Sequence, residues 1–185
     1  MNKQWVLVGG IIGLLVAGAF VLVKFSPEKS GVAIGEKAPD YRLIDLQTGD
    51  SVSLRERAKG KISIVNIWAT WCGPCKEEMP AMQRTYADLQ ARGFQILAVS
   101  IDEADGKDVR EFTNELGITF DILHDKSGRI QQVYQTTGVP ESFLLDRDGT
   151  IIKRVIGAHD WSSPANKKLI ERYLGEGSAP SPSSN

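Results

Sequence analysis

Cysteine is scarce in this chain. Only Cys72 and Cys75 occur among 185 residues, which excludes a scaffold of several disulfides and confines any thiol chemistry to one place. Histidine is equally rare. His124 and His159 stand isolated in the sequence, and neither is assigned a role, since a lone histidine is a poor ligand candidate. Charge is in excess with neither sign: the formal net charge is −1. No basic stripe is present, so nothing favours a nucleic-acid partner. There is no internal repeat, and no motif calls for a cofactor or a metal.

What the chain does have is one long apolar run, Val6 to Val23 (VLVGGIIGLLVAGAFVLV), bounded by Lys3 and Lys24. It contains no polar side chain, is at the lower end of what spans a bilayer, and exceeds the usual core of a signal peptide. Trp5 sits where an interfacial anchor belongs. Ala17-Gly18-Ala19 has the form of a cleavage site but lies inside the run, which favours an uncleaved anchor over a cleaved signal peptide. Four glycines and the lack of a polar face argue against a buried core helix. Basic residues on the two sides of the run nearly balance. The placement of the domain outside the cytoplasm therefore rests on the tether itself: a domain that works in the cytosol needs none, whereas one exported by an N-terminal anchor does. Hydrophobic content of 42% suits one cored domain. The expected division is an anchor over 1–24, a linker over 25–36, a domain over 37–175, and a Ser/Pro-rich disordered tail over 176–185.

Both cysteines lie in Trp71-Cys72-Gly73-Pro74-Cys75. Two cysteines separated by two residues can alternate between dithiol and disulfide with little backbone movement. The apolar, β-branched run Ile62 to Trp68 leads into the motif, and Met79, Met82, Tyr86 and Leu89 follow at helical spacing, with Gly93 as the stop and Pro80 as an expected kink. Cys72 should therefore sit at a helix N-terminus, where unsatisfied N–H groups and the helix dipole favour a thiolate. It should be the exposed nucleophile, and Cys75, one turn inside, the resolving thiol. A structural disulfide would close too small a loop to stabilise much. A zinc site usually wants four ligands, and there is no second CxxC.

The remaining pattern alternates. A hairpin is expected around Thr48-Gly49-Asp50, a strand at Gln95 to Ile101, a helix carrying Val109, Phe112 and Leu116, and a short strand near Phe120 to Leu123. Then come a helix with Ile130, Val133 and Tyr134, a hairpin turning at Asp148-Gly149, and a last helix starting after Ser163 and stopped by Gly175. Strands alternating with helices before a final antiparallel hairpin imply an α/β sandwich around a mixed sheet.

Three separated phrases carry a resemblance: Ile34 to Pro39 (IGEKAP), Lys61 to Glu78 (KISIVNIWATWCGPCKEE) and Gly138 to Gly149 (GVPESFLLDRDG). In this order they resemble the thioredoxin superfamily, and within it the membrane-tethered TlpA/ResA/CcmG-type thiol-disulfide oxidoreductases. The resemblance implies a thioredoxin-like fold, with a central mixed sheet flanked by helices, an N-terminal hairpin extension and an N-terminal transmembrane helix. It implies that Val139-Pro140 is a cis bond presenting backbone to substrate beside the CxxC. Trp71 is expected to cover the active-site surface and Trp68 to lie in the core. The Gly73-Pro74 dipeptide is that of thioredoxin, whose potential near −270 mV marks a reductant, against about −120 mV for the oxidant DsbA.

Thioredoxins place a buried aspartate six residues before the first cysteine, whereas this chain has Asn66, which cannot accept a proton. The resembling branch often carries a glutamate three residues after the second cysteine, and Glu78 stands there. The expectation is that Glu78 accepts the proton of Cys75, against a plain solvated acid in the first helical turn, which suits Glu77 better. Glu141 is read either as tuning partner choice or as a solvated loop acid. Implied partners are protein thiols or disulfides, apocytochrome c among them, and a membrane-embedded thiol electron donor. Two rivals were weighed. A thioredoxin-like peroxidase needs a P-x-x-x-T-x-x-C setting, and neither residue stands at that spacing before Cys72. A copper-delivery module typically has three residues between its cysteines, and this motif has two.

Overall fold

The computed structural model describes residues 12–13 and 32–176. The expected span Val6–Val23, Ile12 and Gly13 excepted, most of the linker and the tail from 177 onward lie outside the described residues. No helix among the described residues is long and apolar enough to cross a membrane.

Two runs fully buried on both faces make the centre: β3 (Ile62–Trp68) and β4 (Phe94–Ser100). They pair in parallel from Ile62 against Phe94 to Trp68 against Ser100. Such pairing suits near-continuous apolar, β-branched sequence and needs a crossover helix. The crossover is α2 (Gly73–Leu89), which carries Cys75, Glu78, Met79, Met82, Thr85 and Leu89 on its buried stripe. Pro80 lies inside it. A 3-10 turn (Gln90–Arg92) intervenes before Gly93, whose φ of +94° needs a glycine. The expected glycine stop thus caps that turn rather than the α-helix itself.

The other strands extend this pair on both sides. They are β1 (Arg42–Asp45), β2 (Ser51–Ser53), β5 (Asp121–His124), β6 (Glu141–Leu145) and β7 (Ile151–Ile156). The sheet order is β2-β1-β5-β4-β3-β6-β7, with β5 parallel to β4 and the remaining pairings antiparallel. Helices α3 (Gly106–Glu115) and α5 (Pro164–Glu176) and the single-turn α4 (Ile130–Val133) complete the thioredoxin-like architecture. The N-terminal hairpin joins the main sheet through β1 and β5.

Two expectations need correction. A short helix, α1 (Leu54–Ala58), follows β2 where no helix was expected. Its start is a cap in which the Ser53 hydroxyl accepts the Glu56 N–H at 3.1 Å. Gly175 does not stop the last helix, which continues to Glu176. A helical glycine costs only about 1 kcal/mol, and Ile170 and Leu174 bury the turn before it.

Candidate active site

α2 starts where β3 leaves the sheet, and Cys72 is its N-cap. Its backbone is extended, and its Sγ accepts the Cys75 N–H at 3.2 Å. Pro74 fits the first turn because it has no N–H to satisfy there. Cys72 and Cys75 form a disulfide. Cys75 is fully buried and Cys72 is 5% exposed, less open than a surface nucleophile was expected to be. One cover is the Val139 carbonyl, 3.6 Å from Cys72 Sγ. On reduction the Cys72 thiol has that oxygen as an acceptor and the helix N-terminus as a stabiliser of its anion.

The Val139–Pro140 peptide bond is cis. The loop that carries it is tied down at several points. The Pro140 carbonyl accepts the Gly157 N–H at 2.8 Å. Glu141 is completely buried, accepts the Thr137 N–H at 3.0 Å and pairs with Arg154, while Arg154 also donates to the Gln135 carbonyl at 2.7 Å. The reading of Glu141 as a solvated loop acid is therefore wrong. The first residue of β6 faces a half-buried guanidinium, and the ion pair satisfies a charge that burial alone would penalise.

The cysteine loop is held from the other side by Asp102, which follows β4. Its carboxylate accepts from the Thr70 N–H (3.0 Å), the Thr70 hydroxyl (2.6 Å) and the Ser100 hydroxyl (2.7 Å). Between Thr70 and Cys72, Trp71 is 66% exposed, whereas Trp68 is fully buried against Phe112.

Glu78 is buried and on the same helical face as Cys75, three residues on. Its Oε1 accepts from Asn66 Nδ2 at 2.7 Å and its Oε2 from the His159 N–H at 3.0 Å. Burial pushes the carboxyl up from 4.5 to about 7, against the opposing pull of the Asn66 and His159 donors. Asn66 also donates to the Ser142 hydroxyl at 2.9 Å across the β3–β6 pair, and its buried Oδ1 has no partner among the described residues. Glu77 is exposed. His159 is not isolated as its place in the sequence suggested: its backbone reaches the carboxylate of Glu78. Asp102, Arg154 and His159 went unread because Thr70, Glu141 and Glu78, the groups they meet in the site, lie 32, 13 and 81 residues away and leave no periodic signal. Among the described residues no group of three or more His, Cys, Asp or Glu could hold a metal. A cavity of about 740 Å³, lined by Gly35 to Pro39, α1 and the β6–β7 turn, includes none of the residues above.

With this geometry in hand, likeness to known proteins is informative. A family model described as the AhpC/TSA family matches residues 34–154. The thiol-disulfide oxidoreductase ResA of Bacillus thuringiensis is 36% identical over 177 residues, 94% of this chain and 97% of the relative. ResA of Geobacillus thermodenitrificans is 35% identical over 161 residues, 85% and 91% of the two chains. Among solved structures, the thioredoxin domain of a thiol-disulfide oxidoreductase from Bacteroides vulgatus superposes with a TM-score of 0.67 at 28% identity. That match covers 78% of this chain and 99% of the other. A Chlorobium tepidum structure assigned as the thiol:disulfide interchange protein DsbE gives 0.66 at 32% identity, covering 79% and 98%.

Proposed function

From the premise that this chain belongs to the AhpC/TSA family, and within it to the ResA-like thiol-disulfide oxidoreductases, we propose that it reduces protein disulfides through Cys72, Cys75 and Glu78. The observation that carries the reading is the placement of Cys72 Sγ at the α2 N-terminus, 3.6 Å from the carbonyl of the cis-proline loop. A thiolate there is stabilised by the helix, and an extended substrate can lie along Val139 and Pro140 with Trp71 beside it.

In the reducing direction, the Cys72 thiolate attacks one sulfur of a substrate disulfide. A Cys72–substrate bond forms, the substrate S–S bond breaks, and the released substrate thiolate takes a proton from water. Cys75 then loses its thiol proton to the Glu78 carboxylate and attacks Cys72. The Cys72–Cys75 bond forms, the bond to substrate breaks, and the second substrate thiolate is protonated. Two electrons pass from the dithiol to the substrate. A base poised near pH 7 is suited to this proton transfer, since it is ionised often enough to accept yet basic enough to help. Asn66 in place of an aspartate leaves Glu78 as the buried acid beside Cys75.

The same reading extends to the chain's setting. Residues 1–24 anchor it to a membrane through Val6–Val23, 25–36 form a linker, 37–175 the catalytic domain and 176–185 a tail. The domain works outside the cytoplasm, recharged by a membrane-embedded thiol donor. Apocytochrome c thiols awaiting haem are one substrate class that fits. The apolar run and the ResA-like relatives support this part.

The test is to trap the intermediate. A Cys75→Ala variant exposed to extracytoplasmic proteins should accumulate mixed disulfides at Cys72 that vanish in Cys72→Ser. The reduced wild-type protein should also reduce insulin. Failure of both would sink the reading.

A further inference from the structure

A second polar cluster stands behind Glu78 and touches neither sulfur. The connection from β7 to α5 passes over the carboxylate, and the His159 N–H donates to it. Asn166, in the first turn of α5 and buried, holds that connection in place. Its Nδ2 donates to the Asp160 carbonyl at 2.8 Å and to the Ser163 hydroxyl at 2.9 Å, and lies 2.8 Å from His159 Nε2. Its Oδ1 accepts from Lys153 Nζ of β7 at 2.9 Å. Lys153 Nζ also lies 3.4 Å from His159 Nε2 and 5.6 Å from the centre of the Trp161 ring, against which the imidazole packs edge-on. Trp161 is fully buried, and its carbonyl accepts the Thr85 hydroxyl of α2.

These contacts fix the orientation of the Asn166 side chain. An ammonium on one side and a carbonyl on the other leave the Asn166 amide a single orientation. Its NH2 group therefore faces His159 Nε2 and the Asp160 and Ser163 oxygens.

We propose that Asn166 and Lys153, acting through the His159 imidazole, are positioning residues that keep the His159 N–H on Glu78 and so govern proton transfer from Cys75. This rests on the reading of Glu78 as the Cys75 proton acceptor. The groups facing Glu78 are few: Asn66 from β3, with Ser142 of β6 behind it, Cys75 on its own helix, and the His159 N–H, backed by Lys153 and Asp160. Of its two direct donors, Asn66 sits on a central strand paired on both sides, whereas His159 sits on a loop. Freeing that loop removes one donor from the charged form and leaves the burial, so Glu78 keeps its proton to higher pH.

The test is a titration of the Glu78 carboxyl carbon by NMR in the reduced full-length protein, with the pH dependence of mixed-disulfide release measured alongside. Asn166→Ala and His159→Ala should each raise the Glu78 midpoint by about one pH unit, the size expected when a charged group loses one hydrogen bond. Because His159→Ala keeps the backbone N–H and leaves the α5 cap intact, it remains informative where Asn166→Ala fails to fold. His159→Gln, which retains a polar side chain to meet Asn166, should stay near wild type. Wild-type midpoints in the alanine variants, or a glutamine variant displaced as far as His159→Ala, overturn the proposal. Failure of the underlying reading looks different: the release rate of Glu78→Gln would then keep the wild-type pH profile.

Discussion

The burial of Glu78 has a consequence for stability that can be worked through and measured. In the unfolded chain its carboxyl loses its proton near 4.5, whereas in the folded protein it holds the proton to about 7. Between those values the folded state binds a proton that the unfolded state has released, so unfolding free energy must fall as pH rises. One pH unit of difference is worth about 1.4 kcal/mol, and the whole rise therefore about 3 kcal/mol. The loss begins near pH 4.5, is complete above pH 7 and is absent at lower pH. Glu78→Gln carries no such proton. Its amide can satisfy only one of the two donors, Asn66 Nδ2 and the His159 N–H, so a constant offset of about 1–3 kcal/mol is expected. The informative quantity is therefore the difference between the two pH profiles rather than either value alone.

Urea unfolding of the oxidised wild-type and Glu78→Gln proteins from pH 4 to pH 8 gives that difference. All other carboxylates titrate in both proteins and cancel. The wild type should lose about 3 kcal/mol relative to the variant across the interval, most steeply between pH 5 and pH 7. A flat difference curve would refute the reasoning, because it would mean that Asn66 and His159 fully offset the burial and that Glu78 titrates at the same pH folded and unfolded.

Three further outcomes follow from the same contacts. Glu141→Gln leaves Arg154 facing a buried neutral group and should lower unfolding free energy by about 3 kcal/mol in urea titrations, with faster hydrogen exchange at Thr137; a change under 1 kcal/mol would count against a clamp on the proline loop. Asp102→Ala strands the Thr70 N–H and both hydroxyls and should cost about 2–3 kcal/mol, read as a lowered melting temperature. Trp71→Ala should leave stability within about 0.5 kcal/mol, while raising KM for a protein disulfide and not for a small aromatic one; equal effects on both substrates would remove Trp71 from protein recognition.

Local pattern carried most of the fold. β3 and β4 were legible because strands buried on both faces read as unbroken apolar runs, and the last hairpin because Asp148-Gly149 supplies the positive φ its turn requires. α1 was missed although Ser53 and Glu56 spell a cap, because five residues are too few for a period to show. In the site, Cys72, Cys75 and Glu78 share one helix and could be related by counting. The groups that give Glu78 its properties could not. Asn66 is 12 residues before it and the His159 N–H 81 residues after it, on elements that only the sheet order brings together.

The meaning of Asn66 also changes once its contact is known. From sequence it marked only the loss of thioredoxin's buried aspartate. In the structure its amide points at the Glu78 carboxylate, 2.7 Å away. An aspartate there would set two buried carboxyls within hydrogen-bond distance, which cannot both ionise at low cost. The Asn66–Glu78 pair therefore supplies one buried acid rather than two, and with the acid on the helix, the strand position must donate. Asparagine is the isosteric residue that does so, and its second hydrogen reaches Ser142 on the strand that follows the cis-proline. The asparagine and the glutamate are thus a single substitution in physical terms. On the proposed role of Glu78, the proton-accepting group stands on α2 rather than β3, its charged form stabilised by donors from a strand and a loop.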